Sequence, residues 1–150
     1  MRTATLLNQL QLKASRLSEN RLRKRLGEAK AKMAAEPTPI LSLSIYSLEA
    51  FFETIKANVI DDDSRIDVPR LKAMKGVLAK YLEKHSAGQT EFNTFTELVC
   101  VYLTFIAKRP LNPASMFDLL RSRDDSSGRC PIRKDEILKE DSLCRFCINS

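Results

Sequence analysis

The chain has 150 residues, 43% hydrophobic and 29% charged, with a net charge of +6; that length suits one domain burying roughly 70% of its unfolded surface. Four glycines and six prolines are too few for a strand-and-turn architecture. The best apolar run, Leu98 to Ala107, is ten residues long, well short of the ~20 a membrane-spanning helix needs.

The charge is unevenly placed. Residues 1–32 hold nine Lys and Arg against Glu19 and Glu28, so the entire positive excess lies there. No signal-peptide core is present, because Asn8, Gln9, Gln11 and Lys13 interrupt the first leucines. Residues 1–18 are basic, amphipathic and acid-free in the manner of a transit peptide, but a helical pattern runs on beyond them. The expected setting is a reducing cytoplasm with no membrane partner. There, cysteines serve metals or redox chemistry before structural disulfides.

Leu7, Leu10, Ala14 and Leu17 form one apolar helical stripe. Ser18 reads as an N-cap that restarts the pattern as Leu22, Leu26, Ala29 and Met33, giving two helices or one with a phase shift. Pro37 and Pro39 end this region. A third helix is expected from Ser44 or Ser47, with Leu48, Phe51, Phe52, Ile55 and Val59 on one face. Asp61 to Ser64 reads as a loop. A calcium loop starting at Asp61 is excluded, because Ile66 and Lys72 stand where it needs glycine and glutamate.

Asp67 and Pro69 open a fourth helix whose buried face is Leu71, Met74, Leu78, Tyr81 and Leu82, with Gly88 closing it. The fifth runs from Glu91 to Lys108 and is apolar almost all round in its second half, which makes it the central helix. Lys108, Arg109 and Pro110 stop it. Asn112-Pro113 can cap a short helix through Leu120, and Asp124 to Gly128 reads as a turn. The fold class is therefore all-α: one domain over 1–150, with basic N-terminal helices (1–36), a helical core (44–108) and an irregular cysteine-bearing segment (109–150).

Residues 129–150 have little apolar periodicity, so burial alone does not order them. Their cysteines are the candidate anchor. Cys130 is followed by thirteen residues and then Cys144-Arg145-Phe146-Cys147. Thiolates three apart can grip one metal ion or one iron–sulfur cluster, since a tight turn brings both sulfurs to one side. Three ligands are one short of a closed zinc site. Cys100, His85, a carboxylate or an exogenous group can supply the fourth. Cys100 has an ordinary role as a small core residue, and His85, in phase with Leu78 and Leu82, as a helix-end histidine near the last carbonyls.

Three cysteines also suit a cluster with one iron left open. A redox dithiol at Cys144 and Cys147 is a third option, its thiols acidified by Arg129, Arg133, Lys134 and Arg145. No strand precedes the pair as in thioredoxin-like units. Cysteines without any ligand remain open as well.

The basic helices suggest a different class of function, a helical nucleic-acid or protein adaptor working through Arg21, Arg23, Lys24 and Arg25. No aromatic residue precedes Tyr46, so base stacking has no support there. A solvated basic face is the simpler account. Phosphate-binding glycine loops, zinc-protease helices and nucleophile elbows are absent from the sequence.

One family is suggested by the residues themselves. A Phe-rich helix ends in Phe105-Ile106, then Pro110-Leu111 and Pro113; Cys130-Pro131 follows, and then Leu143-Cys144, Phe146 and Cys147. This pattern resembles domain of unknown function 2115, a family of methanogenic archaea, over about residues 92–148. The family pattern has histidine where Asn112 stands and a glycine-rich link where Met116 to Gly128 runs. The resemblance implies an anaerobic archaeal cytoplasm, in which zinc and an oxygen-sensitive cluster are both available, and it implies no particular reaction.

Overall fold

The computed structural model describes residues 1–58 and 64–113. Within them are five α-helices, α1 Thr3–Ala14, α2 Glu19–Ala35, α3 Pro39–Lys56, α4 Val68–Ser86 and α5 Thr90–Val101, the last running into a π-helical turn at Tyr102–Ile106. An isolated antiparallel bridge joins Arg2 to Arg65. The architecture among the described residues is all-α.

Ser18 separates α1 from α2, its hydroxyl accepting the Arg21 amide at 3.3 Å, so the phase shift marks two helices. α1 buries Leu6, Leu7, Leu10 and Ala14, while Leu17 packs half-buried from the connecting turn. The start of α1 has no side-chain cap. Instead, Thr3 donates its amide to Ser64 O at 3.1 Å, and Ile66 donates to Met1 O at 2.9 Å.

α3 begins earlier than Ser44. Thr38 is its N-cap, accepting the Leu41 amide at 3.2 Å, and Pro39 occupies the first turn. Proline there needs no amide donor and has its φ already set for the helix, so this proline opens a helix rather than ending one. At the other end Gln11 caps α3, its Nε2 donating to Thr54 O at 3.1 Å and Ala57 O at 2.9 Å. These carbonyls have no partner inside their own helix. Val59 and the loop around Asp61 to Asp63 lie outside the described residues.

Asp67 caps α4 through the Arg70 amide at 3.1 Å, and Pro69 follows in the first turn. Leu71, Met74, Leu78 and Leu82 are buried as expected. Tyr81 is not: it is 49% exposed. Four residues past Leu82, Ser86 takes the next inward place, its hydroxyl 2.6 Å from Asn93 Oδ1 and 3.1 Å from Leu82 O. Gly88 adopts a left-handed φ of 83° just past the end of α4, where a side chain would be strained.

α5 packs against α1, α3 and α4, and α3 packs against α1, α2 and α5. The centre of the molecule is therefore shared by α3 and α5. Phe51 is fully buried between them, with Phe52 edge-on at 5.3 Å and Phe95 at 5.6 Å between ring centroids. Leu6, Leu10, Met74, Leu98, Val101 and Leu103 complete this core.

The last helix starts at Thr90 and ceases to be α-helical after Val101. Ala107 donates its amide to Tyr102 O at 2.9 Å, a π-type bond. Lys108 then reverses the chain in a left-handed conformation, φ 52°, and Arg109 returns its amide to Leu103 O at 2.8 Å. The stop expected at Lys108 to Pro110 is real, and its mechanism is this reversal.

Candidate functional site

Cys130, Cys144 and Cys147, the three expected metal ligands, lie outside the described residues. Among the described residues, no three His, Cys, Asp or Glu side chains are grouped so as to hold a metal. Neither His85 nor Cys100 belongs to such a group among the described residues. His85 is exposed at the end of α4, its ring 4.5 Å from that of Tyr81. It does not continue the Leu78 and Leu82 face, because Ser86 does. Cys100 sits half-buried on α5, and its thiol is pushed up to about 12, first by burial and then by Glu97. At neutral pH it is a protonated, inert thiol.

The four basic residues singled out on α2 do not form one free surface. Arg21 pairs with Glu91 on α5 at 3.0 Å. Arg23 pairs with Glu19 at 2.7 Å and lies over the Phe52 ring, 4.7 Å from its centroid. Lys24 and Arg25 are exposed and have no ion pair among the described residues. Two of the four thus tie α2 to its neighbours or to itself.

Two features escape a reading of the sequence. The first is a polar junction between α3 and residues 102–110. Glu53 of α3 accepts both guanidinium nitrogens of Arg109 and, at 3.4 Å, the Tyr102 hydroxyl. Tyr46 donates to Pro110 O at 2.6 Å. Burial, and then the Glu53 carboxylate, push the Tyr102 phenol up. Burial pulls Arg109 down, but the hydrogen bond and charge of Glu53 outweigh it. The junction fixes residues 109 and 110 against α3.

The second is a cavity of about 1010 Å³ walled by α2, α3, α5 and the end of α4. Its lining is mainly apolar, with Leu22, Leu48, Phe95 and Val99 at its base, and Cys100 faces it. Arg25, Glu28 and Lys32 stand on the α2 side. Leu111 and Asn112 form part of its wall. A space of this size, mostly apolar with few polar groups, has the dimensions of a ligand or peptide site.

The family model for an uncharacterized protein conserved in archaea, domain of unknown function 2115, matches residues 2–150. The chain belongs to this family. The likeness seen at first over residues 92–148 therefore extends to the N-terminal helices. A UPF0305 protein of Methanocaldococcus jannaschii is similar, 30% identical over 107 residues, covering 69% of this chain and 65% of its own length. No solved structure matches. In this family member the cavity, walled in part by Leu111 and Asn112, adjoins the Glu53–Arg109 junction. No helix of the described residues is long and apolar enough to cross a membrane.

Proposed function

We propose that this protein binds a metal through Cys130, Cys144 and Cys147, zinc foremost and an iron–sulfur cluster as the alternative cofactor, in a reducing cytoplasm. The observation that carries this reading is the Cys-x-x-Cys pair with Cys130 upstream, in a stretch with little apolar periodicity. Thiolate ligation supplies the folding energy that burial does not. The fourth position falls to a carboxylate or an exogenous group. The site is structural or serves partner recognition.

Elemental analysis of protein purified without oxygen tests this. Zinc or iron near stoichiometric level is expected; absence of both removes the reading. A broad visible absorbance selects the cluster over zinc.

The runner-up, a nucleic-acid or protein adaptor, draws support from Lys24 and Arg25, the exposed cations of α2 without ion pairs among the described residues. Their neutralisation should reduce binding to a nucleic acid and flatten its salt dependence. Affinity indifferent to salt counts against this adaptor role.

A further inference from the structure

We propose that the open side of the cavity, where α2, α4 and α5 meet, is a cleft for a single-stranded nucleic acid. Its bases stack on Tyr81 and Phe92, and its phosphates meet the cations around them. This inference rests on the adaptor reading and gives it a stacking surface. The basic helix α2 has no aromatic residue of its own, and base stacking needs one. Folding supplies it from elsewhere in the chain. Tyr81, late in α4, and Phe92, in the first turn of α5, line the same hollow as Arg21, Arg25 and Lys32 of α2. The Arg21–Glu91 pair at 3.0 Å sets α2 directly beside the turn that carries Phe92.

Exposure singles out these two rings. Five large hydrophobic residues are exposed among the described residues, Met1, Leu12, Ile40, Tyr81 and Phe92, and both aromatic ones fall here. Tyr81 and Phe92 are each about half exposed, which leaves surface on both for a partner. The His85 ring, 4.5 Å from that of Tyr81, widens the aromatic surface on α4. Every base has a π-face, so stacking of this kind accepts any sequence. A duplex keeps those faces inside its own stack, which makes a single strand the fitting partner.

The charges fit a polyanion. Arg25 and Lys32 on α2, and Lys80 and Lys84 within a turn of Tyr81, are exposed and have no ion pair among the described residues. The carboxylates lining the cavity are Glu28 and Glu91, and Glu91 is already held by Arg21. Glu83 lies beside Lys84 on α4. The unpaired cations therefore outnumber the unpaired acids around the two rings.

Fluorescence anisotropy tests this on the full chain purified without oxygen, with labelled single strands of about twelve nucleotides, one of uridine and one of thymidine. Binding to at least one is expected. Raising salt from about 50 to 200 mM should weaken it on the order of 50-fold, if four cations each neutralise one phosphate. Tyr81→Ala and Phe92→Ala should each weaken it about tenfold with the salt dependence intact, while Tyr81→Phe and Phe92→Tyr keep it. Lys80→Ala combined with Lys84→Ala should instead flatten the salt dependence. Both rings are half exposed, so helical circular dichroism should not change; if one variant loses it, the other ring and the lysine pair decide.

Alanine variants of both rings that bind like wild type would overturn the cleft. The adaptor role would survive that result if neutralising Lys24 and Arg25 still weakens binding. No binding to either strand, or tighter binding to a duplex of the same length, also overturns it. Capture of a polyglutamate peptide in preference to both strands would give the surface to an acidic protein partner instead. None of these variants alters Cys130, Cys144 or Cys147, so the outcome is separate from that of the metal.

Discussion

Cys100 gives the clearest residue-scale consequence. Its thiol moves from 9.0 to about 12, so the folded chain keeps a proton that the unfolded chain releases. Its contribution is complete below pH 9 and is lost as the pH rises from there through 12. Stability should fall by on the order of 1 kcal/mol per pH unit in that window. Cys100→Ala should flatten this slope, measured as urea midpoints at pH 8 and pH 10.5; an unchanged slope would place the alkaline loss elsewhere. Tyr102 acts with the same sign at higher pH, since its phenol is also raised.

Thr104 offers a second residue-scale check. Its Oγ1 is buried in the π-helical turn with no hydrogen-bond partner among the described residues. Leaving a buried hydroxyl unpaired costs about 1–3 kcal/mol. Thr104→Val keeps the shape and removes the unpaired oxygen. A gain of about 1 kcal/mol in chemical denaturation is expected, and a loss of similar size would show that the hydroxyl has a partner.

At the scale of elements, polar caps made the starts of α2 and α4 readable, while α1 and α5, which have no side-chain cap, were legible from apolar periodicity alone. Ser18 and Asp67 stand before apolar periodicity and do what such residues do. Thr38-Pro39 carries the same information, but two prolines in three residues read first as a break, which cost α3 five residues at its start. The π turn left no trace, because Leu98 to Ala107 is apolar on every side and no periodicity distinguishes a wider turn from an α one. Tyr81 and His85 were misplaced because, among the described residues, α4 packs mainly on α5, and so narrow a contact buries fewer positions than a wide stripe.

The start of α3 is testable. Thr38→Ala should cost about 1 kcal/mol through loss of its cap. Ser44→Ala should lie within about 0.5 kcal/mol of wild type, being inside the helix. The reverse order of effects would move the boundary.

For the whole molecule, Phe51 is the keystone, enclosed by α3 and α5 and touching Phe52 and Phe95. Phe51→Ala should cost about 3–5 kcal/mol and unfold the bundle as one transition. Two separate transitions would mean that its halves are energetically independent. The cavity and the polar junction lie between elements far apart in sequence, such as Glu53 with Arg109 and Arg25 with Val99. Neither pairing leaves a local pattern, so both were invisible before folding. The cysteine spacing was the opposite, a local pattern plain from sequence.

The central claim is that three late sulfurs share one metal, and simultaneous titration of thiols and released metal tests it most directly. Adding a mercurial reagent to anaerobically prepared native protein should release one metal as Cys130, Cys144 and Cys147 react, while Cys100 stays silent until the protein unfolds. Full reaction of those three thiols with neither zinc nor iron set free would contradict the account.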